Sequence, residues 1–170
     1  MSGTRDWITP CRDYSLQLID EAWQQIDREC SRSRGIETGG ILVGRYTEDC
    51  STVIITEAPP PPTDSDRGST WFHRGVAGLH TLLKSAWERK PRTHYVGEWH
   101  YHPAYIVEPS SDDLAQMYRI SADPRYRCHD PVMIIAGKSS TGEERPTRSF
   151  VFPKSELFIE FHRSRRLDAP

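Results

Sequence analysis

Two histidines one residue apart, His100 and His102, are followed by Asp113 in the stretch Gly97-Glu-Trp-His100-Tyr-His102-Pro-Ala-Tyr-Ile-Val-Glu-Pro-Ser110-Ser-Asp-Asp113. On a β-strand, residues two apart face the same side, so both imidazoles project together from Cα atoms roughly 6.5 to 7 Å apart and can meet at one ion. Pro103 ends such a strand, and Ser110 stands at the start of a following helix with Asp113 in its first turn. A carboxylate there is favoured by the helix dipole and can be aimed back at the histidines at little cost. Two imidazoles and one carboxylate leave a fourth position of a tetrahedral zinc site open, which is the arrangement of a catalytic rather than a structural zinc. Each half also has a simpler explanation. Paired strand histidines commonly face solvent, and Ser110-Ser-Asp-Asp113 fits the capping box of an ordinary helix start.

The elements that must carry these residues are legible as hydrophobic periods. Tyr14 to Cys30 places Leu16, Ile19, Trp23 and Ile26 at three- and four-residue steps and predicts a helix after a short extended piece at Asp6 to Thr9. Gly39 to Gly44 and Thr52 to Glu57 predict a strand pair, and the four prolines from Pro59 in the loop Ala58 to Gly68 rule out a regular ladder there. Thr70 to Phe72 reads as a further strand, and Val76, Leu79, Leu82, Leu83, Ala86 and Trp87 mark a second helix ending before Pro91. His94 to Tyr101 is β-prone, Ser111 to Ser121 is a third helix, and Pro131 to Ala136 is an apolar run typical of a buried strand. Ser149 to Pro153 adds a strand, with a terminal helix or strand around Leu157 to Phe161. This order predicts an α/β chain of the α+β kind, one domain over residues 1–170, with a curved mixed sheet flanked by helices.

Composition narrows the function classes. A formal charge of -2 offers no basic excess for a nucleic-acid track, and Arg163, Arg165 and Arg166 read as a solvated end. No run reaches the roughly 18 apolar residues of a membrane span, so neither nucleic acid nor membrane is expected as a partner, and the expected location is cytoplasmic. Cys11, Cys30, Cys50 and Cys128 form no CxxC pair and are expected to be reduced; Cys128 beside His129 lacks the context of a thiol nucleophile. His73, His80, His94 and His129 read as surface or hydrogen-bonded histidines.

The complete string, His-x-His-Pro, six residues, then Ser-x-x-Asp, has a chance frequency on the order of one in ten million positions. It resembles the signature of the JAB/JAMM (MPN-type) zinc metallopeptidases. Glu37-Thr-Gly-Gly-Ile-Leu-Val-Gly44 is similar to the glutamate segment that precedes this signature in the family, and the resemblance runs from Tyr14 to about Ala136. It implies a JAB/MPN-like, cytidine-deaminase-like sandwich with one zinc held by His100, His102 and Asp113. It selects Asp113 over Asp112. It further implies that Glu37 is the general acid and base and that the Ser110 hydroxyl steadies the oxyanion. Glu98, on the histidine face of its strand, is a second candidate base or a support for the ligands.

The Gly-Glu-Trp-His-x-His-Pro form is similar to stand-alone bacterial JAB peptidases of CBASS-type antiphage operons. For those the implied substrate is a ubiquitin-like protein or conjugated protein, with ubiquitin-activating and ubiquitin-conjugating-like enzymes and a nucleotidyltransferase as operon partners. Two other functions remain compatible with the family: processing of a small sulfur-carrier or ubiquitin-like precursor, and a non-catalytic scaffold. The loops Pro59 to Arg74 and Ala104 to Pro109 are candidates for substrate contact.

Overall fold

Leu16 and Leu18 are fully buried while Ser15, Gln17 and Ile19 are half-buried, an alternation of period two that makes Ser15–Ile19 a strand. In the computed structural model, which describes residues 3–141 and 143–164, this strand (β2) follows β1 (Thr4–Ile8) and leads directly into helix α1 (Asp20–Arg32). The helix expected from Tyr14 therefore starts six residues later, at Asp20. Leu16, Ile19, Trp23 and Ile26 fit both periods over so short a window, and parallel pairing of Leu16 and Leu18 with Val53 and Ile55 decides for the strand.

The remaining elements are β3 (Thr38–Tyr46), β4 (Thr52–Glu57), β5 (Asp66–Arg67), β6 (Phe72–His73), α2 (Leu79–Glu88), β7 (His94–Tyr101), α3 (Ser111–Ala122), β8 (Val132–Ala136), β9 (Thr147–Val151) and β10 (Ile159–Arg163). The expected strand near Thr70 is thus Phe72–His73, paired with Asp66–Arg67 in a small hairpin, and the terminal element is a strand. Eight strands close into a barrel in the order β1-β10-β9-β8-β7-β3-β4-β2, with β2–β4 and β7–β8 parallel and the other pairs antiparallel. The curved mixed sheet foreseen from sequence goes further than curvature, because β1 bridges β2 and β10.

Alternation on the strands builds two cores. Leu42, Val96, Trp99, Val132 and Ile134 pack with Ala22, Trp23 and Ile26 of α1. Their neighbours Ile41, Tyr95, Met133 and Ile135 pack on the opposite face with Ala86 of α2 and with Met117 and Ile120 of α3. Burying each large side chain contributes about 1.5–3 kcal/mol, so α3 is fixed on β7 and β8 by its apolar stripe. Gly97 has φ +156 and lies so close to β8 that an added Cβ would sit 1.9 Å from the Val132 carbonyl oxygen. Only glycine fits there, and the resulting irregularity between β3 and β7 falls just before the histidines. Arg163 ends β10 and pairs with Glu144 at 2.8 Å; Arg165 and Arg166 lie outside the described residues.

Candidate metal centre

His100 is a residue of β7, and its imidazole points to the face covered by α3. Register with β3 places Gly39 opposite His100, so Glu37, immediately before β3, is next in line across from His102. His102 follows the last residue of β7, and its backbone amide donates to Ala136 O at 2.9 Å, which ties it to the end of β8. Pro103 to Pro109 then lead to Ser110, the N-cap of α3.

Asp113 joins these elements. Its Oδ1 lies 2.7 Å from His100 Nδ1 and its Oδ2 lies 3.3 Å from His102 Nε2. The Ser110 amide and hydroxyl both donate to Oδ2, at 2.7 and 2.8 Å, while the Asp113 amide donates back to Ser110 Oγ at 3.1 Å. This reciprocal pair is a capping box, so the simpler explanation of the Ser-x-x-Asp spacing is realised. It operates together with the metal geometry, because the cap fixes the carboxylate that faces the histidines.

The charges follow from this packing. Burial works against the Asp113 carboxylate, but the contacts with His100 and His102 and the bond from the Ser110 amide outweigh it and hold the carboxyl far below its ordinary range. Burial likewise opposes charge on His102, and the hydrogen bond to Asp113 reverses the balance and raises its pKa. Glu37 is half-buried, and loss of solvent raises its pKa against the opposing pull of His102. A cleft of about 270 Å³ is lined by Glu37, Ser110 and Asp113 together with Trp71, Phe72 and Arg119.

One donor atom from each of His100, His102 and Asp113 can be chosen so that all lie within 4.8 Å of one another. His100 Nε2 is buried without a hydrogen-bond partner. Two imidazoles and a carboxylate suit zinc in both ligand type and number, so the residues fit the ion that the sequence motif implies.

Residues 20–152 match the family of prokaryotic homologs of the JAB domain. The chain belongs to this family. The JAB domain is 46% identical over 129 residues, covering 76% of this chain and 71% of the other, to the CD-NTase/cGAS isopeptidase of Enterobacter hormaechei subsp. hoffmannii (strain UCI 50). It is 26% identical over 148 residues, covering 86% of this chain and 77% of the other, to the CD-NTase/cGAS isopeptidase of Pseudomonas aeruginosa (strain BWHPSA011 / Pa011). The solution structure of protein DSY2949 from Desulfitobacterium hafniense shares the fold, with a TM-score of 0.55 at 21% identity over 84% of this chain and 87% of that one.

Other candidates fall outside this JAB centre. Asp112 is exposed on the first turn of α3 and is absent from the ligand cluster. His94 Nδ1 contacts Tyr95 O, His129 Nδ1 contacts Asp130 Oδ2, and His73 and His80 are exposed. The four cysteines are free, and burial pushes the Cys128 thiol up to about 12, which leaves it unsuited to nucleophilic attack. No helix of the described residues is long and apolar enough to cross a membrane. Sequence reasoning missed the β5–β6 hairpin as a wall of the site: Phe72 packs edge-on to His100 with ring centroids 5.5 Å apart, and Gly68 O accepts from the Glu37 amide at 2.9 Å. Phe72 follows Trp71 beyond a proline-rich loop, and nothing local signals that contact.

Proposed function

We propose that this JAB domain is a zinc-dependent isopeptidase that cleaves ubiquitin-like or related protein conjugates after the modifier C-terminus, in a bacterial antiphage conjugation system of the CBASS type. The observation that carries the reading is the His100, His102 and Asp113 cluster beside a half-buried Glu37 on one cleft. Both named relatives are CD-NTase/cGAS isopeptidases, which supports a conjugated nucleotidyltransferase as the substrate class.

Zinc bound by the three residues would supply Lewis acidity and acidify water at the open position. The chain's own groups do the rest. Glu37, whose raised pKa brings it closer to neutrality, accepts the proton of the attacking water and returns it to the leaving lysine amine. Ser110 Oγ now serves Asp113, and its rotation toward the cleft would let the hydroxyl donate to the developing oxyanion. Holding the ion would require His102 to give up its proton and Asp113 to stay ionised. Trp71 and Phe72 give the cleft an apolar wall.

The test is a cleavage assay with zinc-loaded protein. A nucleotidyltransferase joined through its C-terminal carboxyl to a lysine of an acceptor protein should be released from it, and a chelator should stop the reaction. Cleavage of linear sulfur-carrier precursors with no action on isopeptides would replace this reading by precursor processing. Absence of any cleavage by zinc-loaded protein on both substrate types would leave the scaffold function.

A further inference from the structure

Glu98 is fully buried, two residues before His100 on the same face of β7. An ionisable group in that position requires partners. Arg74 supplies them: its Nε lies 2.8 Å from Oε2 and 3.1 Å from Oε1 of Glu98, and the Tyr95 hydroxyl donates to Oε1 at 2.8 Å. Arg74 Nη1 also donates to Gly75 O at 3.0 Å. Arg74 is the residue immediately after β6. The ion pair therefore fastens the foot of the β5–β6 hairpin to the strand that bears His100.

The hairpin needs such a fastening. Two paired residues on each side cannot hold a ribbon in water. Asp64 accepts from the Val76 and Ala77 amides and Ser65 Oγ accepts from the Gly75 amide, which closes the base of the loop on itself without tying it to the barrel. The contacts to the site lie at the other end. Phe72 sits against His100, Gly68 O holds the Glu37 amide, and Arg67 Nη1 reaches Thr38 Oγ1 at 3.3 Å.

We infer that Arg74 is a positioning residue, which latches the β5–β6 hairpin onto β7 through Glu98 and thereby sets the His100 ring and the Glu37 backbone for the reaction. The inference rests on the reading of His100, His102 and Asp113 as the metal site and Glu37 as the base. It assigns Glu98 to the latch and removes it as an alternative base, since both of its oxygens are occupied and it does not line the cleft that holds Glu37 and Asp113.

The experiment compares the parent with Arg74→Lys, Arg74→Met and the double variant Arg74→Met/Glu98→Met. The double variant replaces both charges by apolar groups of similar length, so the fold is not left with an unpaired buried carboxylate. Arg74→Lys keeps the charge and loses the guanidinium geometry, and it serves if either methionine variant fails to fold. The measurements are thermal melting, amide exchange at Glu37 and across 66–73, zinc retention against a chelator, and kcat and KM on the cleavable conjugate.

The latch predicts that the double variant melts near the parent, exchanges faster at Glu37 and 66–73 but not in α1, and loses roughly 10- to 100-fold in kcat/KM or zinc affinity. The loss should fall mainly on kcat, with a smaller loss for Arg74→Lys. Parent-like exchange at 66–73, or full activity in a folded double variant, overturns the latch and leaves the pair a packing element. If the parent itself neither holds zinc nor cleaves, the reading of the site fails, and the exchange measurement still decides whether Arg74 fastens the hairpin.

Discussion

His100 Nδ1 and Asp113 Oδ1 lie 2.7 Å apart although one belongs to the barrel strand β7 and the other to the first turn of α3. The contact depends on two independent fixations, the β3–β7–β8 ladder under His100 and the Ser110 cap around Asp113. Its geometry is therefore a property of the fold.

Removing the imidazoles tests the ligand set. Purified parent protein should contain close to one zinc per chain by elemental analysis, and His100→Ala/His102→Ala should contain little. Parent-like zinc in a folded double variant would require a different site.

The two titrating partners define opposite pH windows. Asp113 is depressed below its ordinary 3.8, so its contribution to stability is present above that value and lost as pH falls through the lower folded value. His102 is raised above its ordinary 6.5, so its contribution in the metal-free protein is full below 6.5 and lost as pH rises through the higher folded value. Metal-free protein should therefore melt highest between these ordinary values, in mildly acidic solution. Zinc must displace the His102 proton, so zinc retention should begin to fall at a pH above 6.5. Melting curves and zinc content across pH check both, and a metal-free protein most stable in alkaline solution would contradict the assignment.

How much of this was legible follows from what each residue depends on. That His100, His102 and Asp113 come together is legible because strand period and helix-start chemistry are local: β7 carries His100 and leads into His102, and Ser110 caps α3. Glu37 was found only through its resemblance to a family segment, since its proximity to His102 depends on β3–β7 register, a non-local quantity. The Ser15–Ile19 strand was misread because five residues do not separate a period of two from one of 3.6. Barrel closure was invisible for a related reason. β1 is Thr-Arg-Asp-Trp-Ile, largely polar, and becomes a strand through its partners β2 and β10. The Arg74–Glu98 pair joins residues 24 apart, with α2 and the start of β7 between them, and no local pattern signals it.

Gly39 is the tightest point beside the centre. A Cβ there would lie 2.4 Å from Trp99 O and 2.9 Å from both His100 Cδ2 and Phe72 Cε1. Gly39→Ala should destabilise by about 1–3 kcal/mol, the usual range for overpacking, and should weaken zinc binding by pushing the His100 ring. Denaturant unfolding and chelator competition measure the two effects. Unchanged values in both would mean that β3 yields at this position.

The cap that Ser110 forms and the oxyanion role proposed for it are separable. Ser110→Ala removes the side-chain cap, and the loss of about 1 kcal/mol should lower Tm by roughly 2–4 °C. Ser110→Gly should recover much of that stability, because glycine at an N-cap costs only a few tenths of a kcal/mol relative to serine, while leaving no side-chain donor for the oxyanion. A stable Ser110→Gly variant with parent-like kcat would reduce Ser110 to a helix cap.

Glu37 separates metal binding from proton transfer. It stands outside the ligand cluster, half-buried on the same cleft, with its pKa raised by burial. Glu37→Gln keeps its size and its amide bond to Gly68 O, so zinc content and melting should stay near those of the parent. Only proton transfer is lost. A general base contributes typically 10²–10⁴-fold, and kcat on a conjugate should fall by about that factor with KM little changed. Zinc-loaded Glu37→Gln that cleaved at nearly the parent rate would refute Glu37 as the base while leaving the ligand set standing. Loss of zinc in this variant would instead make Glu37 part of the metal site, and proton transfer would then have to be sought among the groups lining the same cleft, where Asp112 is the only other carboxylate besides Asp113 among the described residues.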